Sequence, residues 1–135
     1  MYLNRLNKEQ KYLFRDMCIH LSNSNGEFIE KEKALLSAYC DEMQIEYSII
    51  ADNNNFDDTM HKLVDICSYL EKRIIGFELM GIIYSDGVFQ KDEKNIMEKF
   101  SSISGIPMSD LEKMGELVMR VYQLNSDIES LVINV

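Results

Sequence analysis

Basic residues are scarce in this chain: 14 Lys+Arg face 23 Asp+Glu, a net charge of −9 over 135 residues. Nucleic acids and anionic membrane surfaces are bound through clustered cations and released counterions, so neither is an expected partner. Proline is scarcer still, with Pro107 alone in the sequence. Three cysteines, Cys18, Cys40 and Cys67, are odd in number, widely spaced and form no CxxC. That excludes a zinc knuckle and a thioredoxin-type pair, and leaves small hydrophobes on helix faces in a reducing compartment. His20 and His61 stand far apart and in no HExxH arrangement, so neither is read as a metal ligand or general base. No apolar run reaches the roughly 18–20 residues of a membrane span, and MYLNRLNKEQ lacks a signal peptide's apolar core. The expectation is a soluble, cytoplasmic protein without direct membrane insertion. No Ser/His/Asp spacing, nucleophile elbow or Gly-rich phosphate loop is present either, so no enzyme is expected.

What is present is ordinary globular material, 46% hydrophobic and 27% charged, enough for one domain over 1–135. Helical periodicity runs through nearly all of it. Leu13, Phe14, Met17, Cys18 and Leu21 share a face behind a capping box of Asn7 and Gln10. Leu35, Leu36, Tyr39, Cys40 and Met43 repeat the spacing, and Met60, Leu63, Val64, Cys67 and Leu70 follow Asp57 and Asp58, read as caps. Residues 73–85, RIIGFELMGIIYS, are apolar nearly all round, as in a helix at the centre of a bundle. Gly76 and Gly81 within it cost about 1 kcal/mol each in propensity, which predicts close helix packing there. Glu78 in the same stretch is expected to reach solvent, pair with a residue such as Arg73, or titrate at a raised pKa. A fifth stripe holds Ile96, Met97, Phe100 and Ile103. A sixth helix is predicted from Ser109, capped with Glu112, and carries Leu111, Met114, Leu117, Val118 and Val121 as its apolar stripe. Strand-like alternation is confined to Leu131–Val135. The fold class is all-α.

Shifting the chain by 61 residues overlays its halves without a gap. Ser24-Asn25-Gly26-Glu27-Phe28 falls on Ser85-Asp86-Gly87-Val88-Phe89, and Glu32-Lys33 falls on Glu93-Lys94. Leu36 meets Met97, Tyr39 meets Phe100, and Ile45 meets Ile106. Two divergent helix–turn–helix copies, about 8–48 and 70–109, are the economical account. The connector between them, Ile49 to Phe56 with Asn53-Asn54-Asn55, reads as a flexible loop.

The repeated turn supports two readings. In the first it is structural. Gly26 and Gly87 end a helix in the left-handed conformation, Phe28 and Phe89 plug the gap, and Glu32 and Glu93 complement the next helix dipole. In the second it holds a divalent cation. Asp-Gly-x5-Glu copies the later half of an EF-hand loop, but the first ligand position would be Leu21 or Ile82, which offers no carboxylate. An EF-hand is therefore excluded. What is left is a looser oxygen-rich site at Asp86 and Glu93, with Asn25 and Glu32 in the first copy and Asp92 or Glu30 alongside. Such oxygens favour Ca²⁺, Mg²⁺ or Mn²⁺ over zinc.

The stretch Tyr84-Ser85-Asp86-Gly87-Val88-Phe89-Gln90-Lys91-Asp92-Glu93-Lys94, followed by Gly105-Ile106-Pro107 and the Ser109 helix, resembles the second repeat of the tellurite-resistance TerB family. Ser24-Asn25-Gly26 with Glu32-Lys33 is similar to its first repeat. The resemblance spans roughly residues 10 to 120. It implies a bundle of about six to seven helices with two pseudo-symmetric repeats, a role in tellurite and general stress resistance, metal binding at the acidic turns, and assembly with proteins at the inner face of the membrane. Asp86, Gly87 and Glu93 match that pattern. Asn25 replaces an aspartate and Glu78 an apolar residue. Two functions follow as expectations: a stress-response module binding a divalent cation through the second turn, or a metal-free interaction module using its acidic surface or a groove between repeats, where methionines would suit an adaptable partner. A small metal-dependent hydrolase is the reserve reading.

Overall fold

The structure, a computed structural model, describes residues 1–24, 28–87 and 89–134, and the backbone alone of Asp86. Among the described residues every regular element is helical. The helices are α1 (Lys8–Asn23), α2 (Glu30–Met43), α3 (Phe56–Asp65), α4 (Tyr69–Ile83), α5 (Lys91–Ser104) and α6 (Met108–Val132), with single 3₁₀ turns at Leu3–Arg5 and Tyr84–Asp86. No helix of the described residues is long and apolar enough to cross a membrane.

The 61-residue offset holds to the residue at the starts of α1, α2, α4 and α5 and at the ends of α2 and α5, while α4 closes on Ile83, one position short of the counterpart of Asn23 in α1. Lys8 and Tyr69 open α1 and α4, while Glu30 and Lys91 open α2 and α5, which close on Met43 and Ser104. The caps correspond as well. Asn7 Oδ1 accepts from the Gln10 N–H at 2.9 Å and Ser68 Oγ from the Glu71 N–H at 3.1 Å. Gln10 and Glu71 return the bond to the cap N–H at 2.9 and 2.8 Å, so both helices begin on full capping boxes. Both α2 and α5 end on a left-handed residue, Gln44 with φ 57° and Gly105 with φ 80°. Gln10 Nε2 also donates to Glu71 Oε1 at 3.2 Å, so corresponding positions of the two copies touch.

α4 lies at the centre and is touched by α1, α2, α5 and α6. Ile74, Ile75, Leu79, Met80, Ile82 and Ile83 are all buried. The close packing expected at its glycines is present. A Cβ on Gly76 would stand 2.8 Å from Leu111 Cδ2, and one on Gly81 would overlap the Tyr39 hydroxyl. The Tyr39 hydroxyl donates to the Glu78 carbonyl at 3.0 Å and the Tyr122 hydroxyl to the Gly81 carbonyl at 2.8 Å, pinning α2 and α6 onto this strip. Cys18 and Cys40 are buried, Cys67 is half-buried, and all three are free thiols. Burial pushes the Cys67 thiol up to about 11, which leaves it unreactive as a nucleophile. Five of the nine methionines, Met17, Met43, Met60, Met80 and Met97, belong to the core.

Four local expectations are corrected. α6 begins at Met108, and no side chain caps it; the Pro107 carbonyl takes the Asp110 and Leu111 N–H groups at 2.9 and 3.2 Å, so Ser109 and Glu112 form no capping box. The cap of α3 is Asn55, whose Oδ1 accepts from the Asp58 N–H at 2.9 Å, and Asp57 and Asp58 lie inside the first turn. The connector is tied down rather than loose. Asp16, 2% exposed, accepts from the Asp52 and Asn53 N–H groups at 3.1 Å each. Arg15 donates to the Glu46 carbonyl at 2.9 Å and pairs with Asp52 at 3.1 Å, while His20 Nε2 meets the Asn53 carbonyl at 2.7 Å. Leu131 and Val132, finally, continue α6 and are not extended.

Candidate functional site

The two turns are built alike where both are described. Ser24 Oγ donates to the Leu21 carbonyl at 2.7 Å, and Ser85 Oγ to the Ile82 carbonyl at 2.6 Å, closing α1 and α4 in the same way. In the second copy Gly87 adopts φ 84° and its N–H reaches the Tyr84 carbonyl at 2.9 Å, the left-handed stop expected of it. Asn25 and Gly26 lie outside the described residues, as does the side chain of Asp86. Phe28 and Phe89 pack half-buried against the core, and the Phe89 ring sits 5.6 Å from that of Tyr84.

Glu32 and Glu93 occupy equivalent places at the third position of α2 and α5. Glu32 Oε1 accepts from the Ile29 N–H at 3.1 Å and Glu93 Oε1 from the Gln90 N–H at 3.0 Å. Both are buried, 2% and 1% exposed. Each carboxylate thus satisfies a helix N-terminus that would otherwise leave its donor orphaned. Glu30 and Asp92 point to solvent, with Glu30 3.5 Å from Lys33. Among the described residues no group of three His, Cys, Asp or Glu side chains could hold a metal ion.

The electrostatics of the second turn involve residues of α6 that its own sequence does not announce. Burial raises the Tyr84 hydroxyl, and the carboxylates of Glu112, Glu116 and Glu93 raise it further. Glu112 and Glu116 are one turn apart on α6, which passes the turn in space but follows it by more than twenty positions in the chain.

A groove of about 540 Å³ opens beside this turn, between α2, Tyr84–Gly87 and α6. Ala34, Leu35 and Ala38 form one wall, Tyr84 the floor at the turn, and Met119 and Tyr122 the other wall. Lys31, Ser85, Gln123 and Ser126 supply its polar atoms. This is a groove between the copies, since α2 belongs to the first and the turn to the second.

Glu78 has a partner the sequence did not suggest. It is 4% exposed, and its Oε2 lies 3.1 Å from the Met1 ammonium, which also contacts Glu42 at 3.2 Å. Arg73 instead lies 3.9 Å from Asp110 and over the Tyr69 ring. Burial raises the Glu78 carboxyl above the usual range, the ammonium draws it back down, and Glu42 adds a smaller upward push. His20 stacks on Phe56 at 5.1 Å, and His61 lies exposed on α3. No protein-family model, curated protein or solved structure matches this chain.

Proposed function

We propose that this chain is a TerB-like, non-catalytic interaction module that seats an apolar segment of a partner protein between its two copies. The observation that carries the reading is the lining of the groove beside the second turn. Its walls are apolar and its volume of about 540 Å³ suits a few side chains or one helical turn. Ala34 and Ala38, one turn apart on α2, let a partner backbone approach closely. Lys31 at the rim offers a donor to a carboxylate or carbonyl of the incoming segment. The family resemblance adds the context, a stress-response role of the tellurite-resistance type and assembly with other proteins at the inner face of the membrane.

The test is to fill the groove. Ala38→Trp occupies it from an exposed position on α2, so melting temperature should hold. Proteins retained by the wild type in affinity capture from the native cell should be lost by the variant. Identical retention by both proteins refutes the groove as the docking site.

A second reading keeps a divalent cation at the second turn. What supports it is the Asp86-Gly87-x5-Glu93 spacing together with the family resemblance, although among the described residues no three such side chains are grouped to hold an ion. Under this reading millimolar Ca²⁺, Mg²⁺ or Mn²⁺ raises the melting temperature of the wild type, and Asp86→Ala abolishes the rise. Absence of any shift removes the cation and leaves the groove.

A further inference from the structure

α6 is longer than the body it covers. Its 25 residues reach about 37 Å. Leu111, Gly115 and Val118 are buried on it, with Met108, Met114 and Tyr122 half-buried against the core. Beyond Tyr122 the helix carries a row of large apolar side chains in water, with Leu124 58% and Leu131 77% exposed. The row begins earlier, on the side next to the buried face. Met114, Leu117, Val121, Leu124, Ile128 and Leu131 follow one another at spacings of three and four. That is a heptad seam with Met114, Val121 and Ile128 at a and the three leucines at d.

We propose that α6 pairs in parallel with α6 of a second copy of this chain, through this seam, to make a two-stranded coiled coil. Three observations choose that occupant. The a positions at 121 and 128 are β-branched and every d position is leucine, the combination that favours two parallel strands. The flanks suit self-pairing despite a net charge of −9. The g positions hold Lys113, Arg120 and Asp127, and the e positions Val118, Asn125 and Val132. The carboxylates Glu112, Glu116 and Glu129 fall at f, c and b, away from the partner.

The seam is open along its length, from Leu117, 49% exposed, to Leu131, 77% exposed. At its start the seam continues into a groove of about 440 Å³ whose apolar lining, Leu70, Ile74, Phe77, Met114 and Leu117, is edged by Arg5 and Arg73. The face used is not the one that lines the groove between the copies, which is formed by Met119, Tyr122, Gln123 and Ser126.

Sedimentation equilibrium of the full chain tests the proposal. At about 100 µM, where a Kd of about 10 µM leaves most chains paired, the expected mass is twice 15.8 kDa. Leu124→Glu, an exposed change beyond the body, should halve that mass while the helical circular dichroism of the body and its melting are retained. Leu131→Cys in a Cys67→Ser background should cross-link to itself when oxidised, because parallel in-register strands place identical residues together. In an antiparallel pair those thiols would stand about 20 Å or more apart. A wild-type monomer at this concentration, a Leu124→Glu protein that stays dimeric, or a dimer that fails to cross-link at Leu131→Cys overturns the proposal.

Discussion

α1 and α4 open on matching caps and close on matching serine bonds, yet they present opposite chemistry to the helix that covers them. Arg15, Asp16 and His20 of α1 stand where α4 has Gly76, Phe77 and Gly81. In the first copy the chain leaves α2 through a long connector before the ten-residue α3 reaches α1, and the polar trio holds that connector by its backbone. In the second copy Gly105 and Pro107 deliver the chain at once into α6, and the glycines make the trough in which α6 and the Tyr39 hydroxyl lie. Capping and the helix starts are common to both copies. What differs is the solution to covering a helix, with polar clamps for a loop and missing side chains for a close helix.

The strongest way to break the contrast is to fill the trough. Gly81→Val displaces the Tyr39 hydroxyl, and overpacking of this kind should cost about 3 kcal/mol, a fall in melting temperature of about 10 °C or more. His20→Ala, the counterpart in α1, should cost about 1 kcal/mol, a lost hydrogen bond and ring contact. Thermal denaturation of both variants compares them directly.

Releasing the clamp comes next. Asp16→Ala leaves the Asp52 and Asn53 N–H groups without their carboxylate, at a cost of about 2 kcal/mol. Hydrogen exchange should accelerate over residues 52–55 first. Phe77→Ala at the matching place in α4 should leave that protection unchanged.

The shared element gives a smaller, matched effect. Glu32→Ala and Glu93→Ala should each cost about 1 kcal/mol, as loss of a helix cap does. Chemical denaturation checks the pair. A loss several-fold larger at Glu93 alone would mean that the two turns have diverged more than their caps suggest.

The smallest effect concerns Glu78, whose counterpart in α1 is the buried Met17. Its carboxyl is raised in the folded chain. Between the ordinary value of about 4.3 and the raised one, the folded chain therefore holds a proton the unfolded chain has lost. The stability this contributes is complete below the ordinary value and disappears as pH climbs through the raised one. Glu78→Met copies the first repeat into the second. Melting curves against pH should then lose that decline, with stability at neutral pH unchanged or slightly higher.

Much of the helical frame was legible because its signals are local. Asn7 with Gln10 forms a capping box three residues long, the apolar stripes keep a period of 3.6, and residues 73–85 betray a central helix by having no polar side. The 61-residue repeat was legible in Ser-x-Gly and Glu-Lys, and the helix starts keep the same offset. The clamp was hidden because Arg15 and Asp16 address backbone groups 31 to 37 positions away, which have no residue signature. Glu78 meets an ammonium 77 positions distant for the same reason. At the candidate site, Glu32 and Glu93 were found by spacing, and their burial as caps was legible only as a preference for the first turn. Glu112 and Glu116 reach Tyr84 through the fold alone. The heptad in α6 was readable, but which side of that helix stays uncovered depends on where the body ends.

The contact between Gln10 and Glu71 bears on why one polypeptide carries both copies. Positions that face each other across a twofold axis must be identical when the halves are separate, equal molecules. Two glutamates there would set carboxylate against carboxylate, and two glutamines would give up the anion at the start of α4. Joined in tandem, the halves are free to place an amide on one side and an acid on the other, a hydrogen-bonded pairing that symmetry would forbid.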